Sequence, residues 1–324
     1  MHLVLGAVSA AFAVCPILVF LWLVWWLDRY DREPVWLVVA VFLWGAVGGT
    51  GLSLFASTAL ITPLEGAIDP ERLADLTVVL IAPLVEEPAK AIVLLALAGS
   101  RVFDNTTDGF VYGTAAGLGF AMTENFLYFL SVGAMGDWLA YAGTVVVRTL
   151  YSALMHACAT SVVGAAIGFA KLRTWPTRLI SVPLGLAVAI GIHMLWNGLL
   201  MADTRLGANG QLMTIDLVIF PLEFLALFVV FQLCLLDERV TIQRELEPES
   251  AQGLIPAAHL PILASYLRRT RDDWLPAHVD QEAYVVAATT LAFRKHQNHG
   301  RSLHDEEIAS LRSEIDGLLR PPLS

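Results

Sequence analysis

The chain has 324 residues, 56% of them hydrophobic and only 15% charged, with a mean hydropathy of +0.65. Soluble chains carry about a quarter charged residues, so this composition excludes an ordinary soluble enzyme and describes a polytopic membrane protein. A net charge of −10, with no basic cluster, argues against nucleic-acid binding.

Seven apolar stretches of about 20 or more residues are long enough to cross a hydrocarbon core of ~30 Å. They are Leu3–Leu27, Val35–Ile61, Leu73–Ala98, Gly109–Val132, Leu139–Ala170, Thr177–Met201 and Leu212–Leu236. The first lacks a basic flank and is too long for a signal peptide, so it reads as a retained span. The fifth is long enough to tilt or protrude. The fold class is therefore all-α, with about seven transmembrane helices in residues 1–236. Loop charges are asymmetric: Arg29, Arg32, Arg101, Lys171, Arg173 and Arg178 lie on one set of alternate loops, Arg72 and Arg205 on the other. The excess of cations on cytoplasmic loops places the N-terminus outside and the C-terminus in the cytoplasm. Residues 237–324 contain no span and hold ten Lys/Arg and fourteen Asp/Glu. Apolar positions in Leu260–Leu267, Tyr284–Phe293 and Ile308–Leu319 recur at helical spacing, predicting a small soluble helical cytoplasmic tail. Cys15, Cys158 and Cys234 fall in apolar segments without CxxC spacing and read as small buried hydrophobes.

Polar groups lie in five of these spans or at their edges, and those of four spans stand out. The third carries Glu86-Glu87-Pro88-Ala89-Lys90. A charge at bilayer depth costs about 2.5–3.5 kcal/mol on insertion scales, so such a cluster marks a functional site. Glu86 and Lys90 are one turn apart and are expected to pair, which leaves Glu87 without a local partner. In the fourth span Gly109, Gly113 and Gly117 form a small-residue ladder for close helix approach, and Glu124 continues that face into the bundle. Arg148 and His156 lie in the fifth span, and His193-Met194-Leu195-Trp196-Asn197 in the sixth puts His193 and Asn197 on one face. Arg148 is expected to pair with Glu124.

One buried histidine is more often a satisfied core residue than a catalyst. Three glutamates, two histidines and an asparagine on four spans are a different matter, because together they can share protons in one pocket. Carboxylates and imidazoles perform general acid–base work and also ligate divalent metals. Peptide hydrolysis needs an activated water, a donor for the oxyanion and an acid for the leaving amine. Ser152 has no GxSxG context, and there is no HExxH or GxGD motif. Intramembrane Glu/His relays also suit an ion- or proton-coupled transporter, the runner-up, although the internal repeats typical of transporters are missing from the sequence.

Glu86-Glu87-Pro88-Ala89-Lys90 matches an EExxK motif and Phe120-Ala121-Met122-Thr123-Glu124-Asn125 matches FxxxEN. With Arg148, His156 and His193-Met194-Leu195-Trp196-Asn197 in the same order, residues 30–235 resemble the PrsW family of intramembrane proteases. That family belongs to one superfamily with CAAX prenyl proteases and bacteriocin-processing enzymes. The resemblance implies a bacterial inner-membrane endopeptidase whose partners are the bilayer and a membrane-anchored, anti-sigma-factor-like substrate. It further implies a catalytic set of Glu86, Glu87, Glu124, His156, His193 and Asn197, supported by Lys90 and Arg148. By analogy with the CAAX enzymes, the first glutamate activates water, and His193 with Asn197 polarises the scissile carbonyl. CAAX proteases usually carry His where this chain has Glu124, so their acid and base roles do not transfer one for one. Glu87, Glu124, His156 and His193 are ordinary zinc-ligand types; the resemblance leaves open a zinc enzyme and a metal-free glutamate enzyme.

Overall fold

The computed structural model describes residues 2–320 except 29, 31, 101, 104, 172, 174, 209, 272–273 and 299–304. Arg29 and Arg101 of the loop-charge pattern thus lie outside the described residues. No strand occurs among the described residues, and the chain is an all-α polytopic membrane protein. The seven predicted stretches form helices α1 (His2–Leu27), α2 (Val35–Leu64), α3 (residues 70–97), α4 (Thr106–Ala134), α5 (Trp138–Lys171), α6 (Trp175–Leu206) and α7 (Gln211–Ala251). Five of them, α1, α2, α5, α6 and α7, are long and apolar enough to cross a membrane. The other two, α3 and α4, hold the Glu86 cluster and the glycine ladder. α4 is buried almost continuously from Thr107 to Ala121, so its neighbours supply the apolar surroundings that lipid would otherwise demand. Large apolar side chains such as Leu3, Val47, Phe55, Leu139 and Trp175 point outward, as a lipid-facing surface requires. Cys15 is exposed among them, against the expectation of burial.

Helix starts are fixed by side chains. Asp69 accepts from the amides of Glu71 (3.1 Å) and Arg72 (3.2 Å), with Pro70 at the first helical position of α3. Asn105 and Asp108 close a reciprocal capping box on α4. Asp137 caps α5 through the amides of Leu139 and Ala140.

The expected glycine ladder brings α4 against α5 at backbone contact. A Cβ on Gly109, Gly113 or Gly117 would stand 2.0–2.4 Å from the carbonyl oxygens of Gly164, Thr160 and His156, respectively. Gly164 is equally confined, its Cβ position lying 1.8 Å from the Gly109 oxygen. No side chain can relieve a clash with backbone. Gly164→Ala should therefore destabilise the protein by about 1–3 kcal/mol, the usual cost of overpacking, read as a lowered melting temperature in detergent.

Three membrane helices widen locally into π-turns: Trp44–Gly49 in α2, Thr77–Ile81 in α3 and Arg148–Ser152 in α5. A wide turn frees a carbonyl from the helical ladder, and in lipid that carbonyl needs another donor. Each turn finds one on a neighbouring helix. Thr123 Oγ1 donates to Ala46 O (2.8 Å), Asn197 Nδ2 to Val78 O (2.8 Å) and Asn125 Nδ2 to Arg148 O (3.2 Å).

The chain divides into two compact units, Met1–Leu27 with Glu33–Phe231, and Asp28–Arg32 with Gln232–Ser324. In the second unit, α8 (Gln281–Asn298) and α9 (Asp305–Leu319) share a core with Ile242, Leu246, Ile255 and Leu263. Glu249 is buried there and ion-paired to Lys295 (2.7 Å) and Arg312 (2.7 Å).

Candidate active site

Four helices of the first unit converge on the polar residues singled out in the sequence. Glu86, Glu87 and Lys90 come from α3, Glu124 and Asn125 from α4, Arg148 and His156 from α5, and His193 and Asn197 from α6. Lys90 is wholly buried, and it departs from the expected pairing. Its ammonium lies 2.6 Å from Glu87 Oε1, three residues back, and not against Glu86. Glu87 is therefore the carboxylate with a local partner, and Glu86 the one without. The same ammonium donates to His156 Nδ1 at 2.9 Å and sits 4.3 Å from the centre of the Phe120 ring.

From Lys90 the network runs in two directions. Glu87 Oε1 accepts from His193 Nδ1 at 2.8 Å, and His193 Nε2 then faces Glu86 Oε2 at 3.9 Å. On the other side His156 Nε2 meets Glu124 Oε2 at 2.7 Å. Arg148 lies 2.7 Å from the same oxygen, the ion pair expected from the sequence. Arg148 is itself steadied by Asn125 Oδ1 (3.0 Å) and by the Tyr128 ring, 3.7 Å away. The two imidazoles stand edge to face, 4.7 Å between centres.

Glu86 Oε2 is placed differently. It is a buried carboxylate oxygen with no hydrogen-bond partner among the described residues, although the Glu86 side chain is 15% exposed. A separation of 3.9 Å from His193 Nε2 is too long for a direct hydrogen bond and suits one bridging water.

Asn197 does not sit beside His193 as a second free donor. Its amide is held by Val78 O in the π-turn of α3, which leaves one N–H of the amide group uncommitted. Thr160, which the sequence reading missed, donates to Glu87 Oε2 at 3.3 Å and completes that carboxylate's shell. Its signal was present, since Thr160 lies one turn beyond His156 on the same face of α5.

The ligand set for a metal also differs from expectation. Glu87 and Glu124 spend oxygens on Lys90, His193, His156 and Arg148. The residues that bring one ligand atom each within 4.8 Å of one another are Glu86, His156 and His193. His193 fits such a role, because Glu87 holds Nδ1–H and leaves Nε2 facing Glu86. Glu86 Oε2, buried and unpartnered, fits too. His156 does not, because Lys90 takes one ring nitrogen and Glu124 the other. A catalytic zinc takes three protein ligands; hydrogen-bonded in this way, the cluster presents two.

Residues 33–231 match the family described as "PrsW family intramembrane metalloprotease". Among similar curated proteins, Protease PrsW of Clostridioides difficile (strain 630) is 35% identical over 126 residues, covering 37% of this chain and 49% of the relative. Protease PrsW of Geobacillus kaustophilus (strain HTA426) is 29% identical over 184 residues, 56% of this chain and 74% of the relative. That of Bacillus subtilis (strain 168) is 27% identical over 182 residues, 54% and 74% respectively. The chain thus spans about half the length of the first of these relatives. No solved structure matches it significantly. The matched segment takes in all four helices of the polar cluster, and the chain belongs to the PrsW family of intramembrane proteases.

Proposed function

We propose that the protein is a bacterial inner-membrane endopeptidase that cleaves a membrane-anchored substrate of the anti-sigma-factor type with water activated by Glu86. The observation that carries this reading is Glu86 Oε2, buried without a partner and facing His193 Nε2. Both atoms are hydrogen-bond acceptors. A water donating one hydrogen to each would turn its lone pairs toward a carbonyl brought in by the substrate. As the water attacks, Glu86 takes its proton, the carbonyl becomes an oxyanion and Glu86–H then protonates the leaving amine. Glu87 holds His193 in place for this task, while Glu124 and Arg148 hold His156. The uncommitted N–H of Asn197 is the nearest match in this set to an oxyanion donor, being one turn from His193.

The loop charges support a topology with the N-terminus outside and a soluble cytoplasmic tail from about residue 237. The similar proteins are proteases, which leaves the transporter alternative without support.

Quantitative proteomics of membranes from cells making the wild-type or the Glu86→Gln protein tests the reading. One or a few single-span proteins should be shortened in the wild type and intact in the variant. Identical membrane proteomes would sink it.

A further inference from the structure

Lys90 has a consequence for the two histidines. An ammonium has three N–H donors and no acceptor. Standing 2.9 Å from His156 Nδ1, and held there by Glu87 Oε1 at 2.6 Å, it must donate to that nitrogen. His156 therefore carries its proton on Nε2 and gives it to Glu124 Oε2 at 2.7 Å. His193 has the reverse arrangement. Its Nδ1 lies 2.8 Å from Glu87 Oε1, which as a carboxylate oxygen only accepts, so the proton sits on Nδ1 and Nε2 keeps a lone pair.

We infer that Lys90 is a positioning residue that, together with Glu124, fixes His156 as its Nε2–H tautomer while Glu87 fixes His193 as its Nδ1–H tautomer, so that only His193 turns a ring lone pair toward Glu86. The two imidazoles, 4.7 Å apart, are chemically distinct because an ammonium caps Nδ1 of one and a carboxylate caps Nδ1 of the other. His193 is an acceptor for the reacting water. His156 is a donor locked into the Glu124–Arg148 pair. This division of labour rests on the protease reading, whereas the tautomers themselves do not.

Nitrogen-15 NMR of the full-length protein, labelled at histidine and held in detergent micelles, measures the tautomers without any substrate. Signals are assigned by comparison with His156→Gln and His193→Gln. The wild type is expected to show protonated Nε2 on His156 and protonated Nδ1 on His193. In Lys90→Met, Glu124 should still hold the proton on His156 Nε2, while the His156 Nδ1 signal moves to the shift of an unbonded ring nitrogen and His193 keeps Nδ1–H. The inference is overturned if both histidines share one tautomer, if His193 carries protons on both nitrogens, if the His156 Nδ1 signal does not move in Lys90→Met, or if the wild type holds stoichiometric zinc through His156. Should Lys90→Met fail to fold, the wild-type spectrum alone decides.

Discussion

Glu86→Gln is expected to lower the rate of peptide cleavage by about 10²–10⁴-fold, the usual contribution of a general base, without lowering stability. The substitution keeps the shape of the side chain and removes the basic oxygen. Glu86 Oε2 has no hydrogen bond to lose, so the melting temperature in detergent should stay at or above the wild-type value. Glu87→Gln should behave differently. Glu87 accepts from Lys90, His193 and Thr160, so its loss should reduce both activity and stability. Side-by-side cleavage assays and melting curves of the two variants separate these roles. A Glu86→Gln protein that cleaves at the wild-type rate would move the base elsewhere in the cluster.

Lys90→Met should have the largest effect on stability, about 3–5 kcal/mol, because removing one partner strands a buried charge. Glu87 and Lys90 are both 0% exposed, so neither lipid nor water can replace the missing ion. The second substitution then has a calculable sign. Glu87→Gln in the Lys90→Met background removes the stranded carboxylate, so the double variant should be more stable than Lys90→Met alone. Denaturant titration in mixed micelles measures the cycle. Equal stability of the single and double variants would mean that Lys90 contributes by packing and not by charge.

Much of the polar cluster is legible in the sequence alone. Charged residues in apolar helices are costly, and so Glu86, Glu87, Lys90, Glu124 and Arg148 stood out against their surroundings. The Gly109–Gly113–Gly117 spacing forecast the backbone contact with α5, because only small residues permit it. The Arg148–Glu124 pair was likewise legible, from opposite charges on neighbouring spans. Less visible were the π-turns, which helical spacing does not announce, and Thr160, an unremarkable residue until His156 is seen one turn away.

What the amino-acid sequence determined by itself was membership and inventory: seven helices, four of them bearing carboxylates, imidazoles and an asparagine in the order of the PrsW motifs. Local rules carry that much, since hydropathy, helical spacing and caps involve residues close together in the chain. The partners were decided only by tertiary structure. Glu86 and Glu87 are adjacent, yet successive residues on a helix point about 100° apart, so the two carboxylates meet different sets of atoms. One turns to Lys90, His193 and Thr160, and the other faces His193 Nε2 with an unbonded oxygen. The spacing of Glu86 and Lys90 favoured the opposite pairing, whereas in the fold α5 gives Lys90 a second acceptor in His156 and α6 gives Glu87 a second donor in His193.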